Sequence, residues 1–501
     1  MFENMKKYIK ENLIELIFVG ILASILIYTL LLNPILGKCD NGDFGRLQKF
    51  AGLSDVSNNY EEIYDGFLHE KYRTNFLFYL APWGSDWIFG AVIVKIAVGI
   101  HFIFSFFGAK LFDIRIQSVI YILLFLISIF YILKYKCFST IHKVVLGLFI
   151  IVFFTDINYI SYFNSFFGEA GTIVFFFLTL GTYLNLISKE NYDTRSLKIF
   201  FASSLGFLTS KTQQLPLLLF MIIIYGALYF YSSDKNQKIL IRKLSIFVVV
   251  FCTIVYLSIG DFTNKNNIYQ AVFTGVLKDS KNPEKDLEEL GINKKFASLA
   301  GTGFYAKDLA FEPLGKEMRE EFYPKASRGK ILIYFAKHPD RAYEKIKKSA
   351  ENSYAFEKVN KSYFKKGEFS SHKILNETRI NLIEAFPRIH RNIFIFTGFS
   401  LIYFVLCIYH LKKAKTKNGK LLILMLLFIL VSGSSQLVLP VLGSGEADFG
   451  KHLFLINLAY DIMVGVALLY VVNAVSKSIS IISNKISNRK KDSIQRLDNL
   501  S

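Results

Sequence analysis

The chain reads as an all-α polytopic membrane protein with about ten transmembrane helices, surface helices in its first outer loop and a small, mainly helical extracytoplasmic domain. Three observations predict this. Apolar runs of about 17–25 residues recur along the chain, the length needed to cross a ~30 Å hydrocarbon core. Hydrophobic residues make up 52% and aromatic residues 16% of the sequence, a bias of membrane proteins. The net charge of +19 gathers in short basic clusters between the apolar runs, which is the pattern of membrane topology and not of a nucleic-acid partner.

The first run, 13–36, follows Lys6, Lys7 and Lys10, so the positive-inside rule places the N-terminus in the cytoplasm. The run lacks a small-residue cleavage site and reads as an uncleaved span. The next run, 88–107, carries Lys95 and His101 beside Trp83 and Trp87. A crossing there would turn every later basic cluster outward, so it reads as an amphipathic helix on the outer surface, anchored by the tryptophans. Spans then follow at 116–133, 144–160, 172–187, 197–212, 215–231, 244–259, 393–411, 421–442 and 453–475. Those at 144–160 and 197–212 are short or interrupted by polar residues. With this alternation the short outer loops hold only Lys211 and Lys451 among basic residues, and both termini lie inside.

The organisation is therefore an N-terminal transmembrane module, 1–260, with an outer loop at 37–115. An extracytoplasmic helical domain, 261–390, comes next, then C-terminal transmembrane helices, 391–476, and a basic cytoplasmic tail, 477–501. Within the polar domain, "HPDRAYEKIKKSAENSY" opens with a proline in its first turn and carries i,i+4 charge pairing, both helical signals. Cys39, Cys137, Cys252 and Cys407 are too scattered for a disulfide framework or a metal cluster.

Polar chemistry converges on the outer face. "KCDNGDFGRLQKF" (38–50) leaves the first span with Asp40, Asp43 and Arg46. Later outer loops bring Asp156, Asn164 and Glu169; Lys211, Gln213 and Gln214; and Glu446, Asp448, Lys451 and His452. Asp461 lies roughly 13 Å further into the last span, where an ionisable group is costly and faces a polar cavity by default. Each loop has a plainer reading: glycine and asparagine end helices, and Lys211 can snorkel. The convergence of four loops carries the functional reading, a site for a substrate with a lipid tail and a polar head.

These residues carry a resemblance. "NGDFGR" (41–46), "YFNSFFGEAG" (162–171), "SKTQQLP" (210–216), "AKHPDRAYEKIKKSAENSY" (336–354) and "DFGKHLFLINLAYD" (448–461) resemble the glycan biosynthesis hexosyltransferases of Gram-positive bacteria. The wider architecture is similar to the GT-C class of membrane glycosyltransferases. Each motif is short; their order over nearly the whole chain makes the likeness. It implies a multi-pass enzyme of the bacterial cell membrane, with an extracytoplasmic active site, that transfers a hexose with inversion. The donor it implies is a polyprenyl-phosphate sugar, and the acceptor a cell-envelope glycan or lipid-linked molecule.

The class places an essential aspartate in the first outer loop, matched here by Asp43, with Asp40 as the competing carboxylate. Asp43 is expected as general base, taking the acceptor's proton, and Glu169 as a second acid. Arg46, Lys211 and Lys451 are candidates for the donor phosphate; Asn164, Gln214, His452 and Asp461 complete the substrate-binding set. The residues call for no certain cofactor. The spacing is not the D-x-D that holds a metal in some branches, and Mg²⁺ or Mn²⁺ would need further oxygens such as Glu169. Rival readings are a flippase of lipid-linked glycans, an O-antigen-ligase-like transferase using His338, His372 or His390, and a non-catalytic scaffold.

Overall fold

The computed structural model describes residues 2–80, 89–369, 373–447 and 449–498. Trp83, Trp87, His372 and Asp448 lie outside these residues, as do the side chains of the basic tail from 480 onward.

Among the described residues, eight helices are long and apolar enough to cross a membrane: Leu13–Leu30, Arg115–Leu133, Gly168–Ile187, Thr212–Tyr231, Lys235–Leu257, Ile393–Lys413, Lys417–Leu437 and Phe454–Ile479. All eight fall on predicted spans, since in lipid a continuous helix is the way a single segment satisfies its own backbone. The span expected at 144–160 is a broken pair, Thr140–Phe154 and Ile157–Asn164, bent by 69°. Asp156 sits in the break and caps the second piece, accepting from the Asn158 amide at 2.9 Å. The span expected at 197–212 is a 15-residue helix, Thr194–Leu208. At 1.5 Å per residue it is about 22 Å long, shorter than the ~30 Å hydrocarbon core it connects across, because it stops at Thr209 and Ser210, whose hydroxyls bond back to the carbonyls of Leu205 and Phe207.

Gly168–Ile187 is the central helix, 89% buried, whereas Lys235–Leu257 and Ile393–Lys413 are only 22% buried. The outer helices turn Ile246, Phe247, Val250, Phe394 and Ile402 outward, as a lipid-facing surface requires.

The helix Phe89–Ser105 does not cross. Strand Lys71–Thr74 pairs antiparallel with Leu53–Ser54 on one side and with Phe112–Asp113 on the other. A single crossing between residues 74 and 112 would put those strands at opposite ends of the bundle. The helix instead exposes Ile103 and Phe104, and the turn after it Phe106 and Phe107, beside the bundle, as a surface-lying apolar face does.

The connections separate to two ends. At one end, Lys143 binds Glu15 at 2.6 Å, Lys417 reaches the Glu190 carbonyl at 2.7 Å and Lys134 lies over the Tyr8 ring. At the other end the described residues of 37–114, 155–167, 209–213, 261–390 and 438–453 meet, as Lys38 on Tyr363, Asn158 on the Glu357 carbonyl, Gln213 on the His452 carbonyl and Lys278 on Glu446 show. Between 261 and 390 the chain forms short helices, among them Asp261–Gln270, Pro283–Leu290, Arg328–Lys337 and Pro339–Glu351. Side chains of Asn282 and Ser327 cap the second and third, and Pro339 starts the fourth, where its missing N–H costs nothing. At the centre of this segment Phe322 stacks on Phe273 and meets Phe296 edge-on.

Asp461 fastens that segment to the last span. Arg379 donates Nε and Nη2 to its two carboxylate oxygens at 2.8 and 2.7 Å, and Tyr159 and Tyr354 donate to them at 2.8 and 2.9 Å. All four side chains are buried, so the carboxylate is satisfied by protein and is not offered to a substrate.

Candidate active site

The site grows from the loop after the first span. Gly42, at φ +100°, lets the chain turn so that Asp40 Oδ1 accepts the amides of Gly42 at 2.8 Å and Phe44 at 3.2 Å. Phe44 is buried edge-on against Phe166 and Phe167. Held between this turn and this anchor, Asp43 projects into a cavity of about 430 Å³, within the size range of small-molecule sites.

Three further segments close the cavity. Glu169, in the first turn of the central helix, is buried and accepts a hydrogen bond from Lys211 Nζ at 2.7 Å. Lys451 pairs with Asp43. The 438–447 turn is seated by Gly445, at φ +62°, where an added Cβ would come 2.4 Å from both the Gln270 carbonyl and Thr274 Oγ1. There Glu446 accepts from Lys278 at 2.6 Å. Each carboxylate of the cavity wall thus holds a lysine. Arg46, exposed on the helix Gly45–Ala51, lines the same cavity with no ion pair to a described residue.

The electrostatics divide the two aspartates. Burial pushes the Asp43 carboxyl up, but Lys451, with Arg46 and Lys211, holds it below the ordinary carboxylate range. Burial raises the Asp40 carboxyl, against the two amides it accepts. His452 is half-buried, and desolvation together with the nearby charges of Lys211 and Lys451 drives it down to about 3, so it is neutral near pH 7.

Asp43, Glu169, Arg46, Lys211, Lys451 and His452 therefore come together. Asp40, Asn164, Gln214 and Asp461 do not. Asp40 shapes the turn. Asn164 is buried and donates to the carbonyls of Leu30 and Leu36. Gln214 is buried and donates to Thr172 Oγ1 at 2.8 Å. Asp461 belongs to the Arg379 junction. These four lie apart from the cavity that gathers the rest of the expected set: polar residues next to a span end serve backbone and packing as readily as ligands. Lys278 and Asn267 line the cavity without having been singled out; the amide-rich run "NKNNIYQ" (264–270) after a span was the available signal.

The donor set does not fit a divalent ion. Asp43 and Glu169 each bind an ammonium group, and among the described residues no three His, Cys, Asp or Glu side chains converge. Of His338, His372 and His390, the two among the described residues build no ligase-like site: His338 bonds Glu289 at 2.8 Å, and His390 contacts Arg379, which is committed to Asp461.

A second, apolar groove of about 610 Å³ adjoins the polar cavity. Leu219 and Cys252 from two spans, with Leu332 and Leu439, line it. The two spaces share Thr212, Gln213, Asn267, Ser444 and His452. Comparison with curated proteins and with solved structures gives no match. A family model does match, described as the YfdI N-terminal transmembrane domain, over residues 2–496. With nearly its whole length inside that match, this multi-pass membrane protein belongs to the YfdI N-terminal transmembrane domain family.

Proposed function

We infer that the protein is a membrane hexosyltransferase that takes its sugar from a polyprenyl-phosphate donor. One observation carries this: a charged cavity with a carboxylate in its wall adjoins an apolar groove lined by two spans, and the two share lining residues. An amphiphile with a sugar head and an isoprenoid tail suits that pair of spaces. Membership of the YfdI family supports a membrane glycosyltransferase.

In this reading the acceptor hydroxyl oxygen attacks the anomeric carbon. The bond from that carbon to the phosphate oxygen breaks, the configuration inverts, and Asp43 takes the hydroxyl proton. Asp43 is ionised near neutral pH because its lysine and arginine neighbours favour the charged form. Arg46, Lys211 and Lys451 stabilise charge on the departing polyprenyl phosphate. Glu169 keeps Lys211 in place. The basic end bearing Lys6, Lys134, Arg195 and Lys417 faces the cytoplasm by the positive-inside rule, which sets the site on the outer side with a cell-envelope acceptor. A transporter needs ionisable groups along a path through the bundle. Here Glu15 is paired near one end and Asp461 at the junction with the polar segment.

The test uses the full chain in nanodiscs with polyprenyl-phosphate glucose, galactose and mannose and with bacterial envelope glycans as acceptors. Donor consumption coupled to glycan labelling is expected for one of the sugars, and a large loss in Glu169→Gln. Passage of lipid-linked glycan across vesicles with no donor consumed would replace this reading with the transporter.

A further inference from the structure

The hydrogen bonds around His452 fix which of its ring nitrogens is free. The Gln213 side chain places one atom 2.7 Å from the His452 carbonyl oxygen. A carbonyl only accepts, so that atom is Nε2, and the other amide atom is Oε1. Oε1 in turn lies 3.2 Å from His452 Nδ1, and an amide oxygen also only accepts. Nδ1 must therefore carry the proton. The same Gln213 nitrogen meets Gln436 Oε1, which locks the amide from a second side.

The ring is also neutral. Desolvation disfavours its charged form first, the charges of Lys211, Lys451 and Arg46 add to that, and Asp43 opposes them only in part. A neutral ring protonated on Nδ1 presents a lone pair at Nε2. Among the described residues Nε2 has no hydrogen-bond partner, and His452 lines both the polar cavity and the apolar groove. In a site walled by lysine and arginine donors, it is an acceptor held open.

We propose that His452 is a specificity-determining residue, whose Nε2 accepts a hydrogen bond from one hydroxyl of the donor hexose where the polar cavity meets the apolar groove. This rests on the polyprenyl-phosphate reading above. A lone pair repels phosphate oxygens, which are acceptors themselves, so the partner is a sugar hydroxyl and the phosphate falls to the cations. The Gln213 lock makes the preference rigid: the ring cannot switch to its other tautomer without setting the amide oxygen against a bare nitrogen lone pair.

The experiment measures binding to the full chain in nanodiscs of a polyprenyl-phosphate hexose and its 2-, 3-, 4- and 6-deoxy analogues, with KM and kcat for those that turn over. Wild type is expected to bind one analogue about 10-fold or more weakly than the parent, since a site built around a hydroxyl is left unpaired without it. His452→Phe is expected to reduce that ratio to about 1–3-fold by weakening the parent alone. His452→Gln, which returns an acceptor oxygen near the same place, is expected to restore part of it. Equal binding of parent and all four analogues by wild type overturns the proposal and leaves the donor reading standing, even if His452→Phe does not fold. An unchanged ratio in a folded His452→Phe also overturns it. Failure of wild type to bind any polyprenyl-phosphate hexose removes the donor reading, and this inference with it.

Discussion

Asp40 spends one oxygen on the amides of Gly42 and Phe44, while Asp43, three residues on, faces the cavity with a lysine at its side. Asp40→Ala is therefore expected to cost about 1 kcal/mol of stability through the lost turn, read as a small fall in unfolding temperature. His452 gives a separate acid signature. Its folded value of about 3 lies below the 6.5 of a free imidazole, so between these the unfolded chain binds more protons. Stability then falls as pH drops from about 6.5 towards 3. Asp43, whose carboxyl is depressed, adds its own loss only below about pH 4. Thermal unfolding in detergent at pH 7.5 and pH 5 is expected to show a smaller acid loss for His452→Gln than for wild type. Asp43, Glu169, Lys211 and Lys451 were legible in the sequence because charged residues beside the outer span ends are few. The division between Asp43 and Asp40 was not, since it depends on the Phe44 anchor.

At the scale of elements, the decisive contact is Arg379 on Asp461, joining the polar segment to the last span. Asp461→Asn leaves a buried guanidinium without its counter-charge and is expected to cost about 3–5 kcal/mol. The double variant Arg379→Met/Asp461→Leu, which removes both charges, is expected to cost less, as unfolding midpoints in one detergent would show. Gly445→Ala is expected to displace the 438–447 turn, because its Cβ would strike the Gln270 carbonyl. Activity should then fall more than unfolding temperature. An acid within a span signals a polar partner or a cavity, but Arg379 lies 82 residues upstream in a polar segment, and no local pattern ties the two. The spans themselves were legible from hydropathy. That the stretches at 144–160 and 197–212 are irregular was legible from their polar interruptions, but the bend at Asp156 and the stop at Leu208 were not, since the Asp156 cap and the Thr209 and Ser210 back-bonds decide them.

Across the whole molecule, the basic connections collect at one end of the bundle and the cavity at the other, and the positive-inside rule turns this into a sidedness. Single cysteines at positions 280 and 110, in a background without native cysteines, are expected to react with an impermeant maleimide in intact cells. A cysteine at 136 is expected to react only after permeabilisation. Protection of 110 together with labelling of 280 would mean that the helix Phe89–Ser105 crosses after all. The most direct test of the account is the rate of hexose transfer from a polyprenyl-phosphate donor by wild type, Asp43→Asn and Asp40→Asn in nanodiscs. If Asp43 takes the acceptor's proton, Asp43→Asn lowers kcat by about 10²–10⁴-fold while Asp40→Asn stays within about 10-fold of wild type. Equal rates for Asp43→Asn and wild type, both proteins folded, would contradict it.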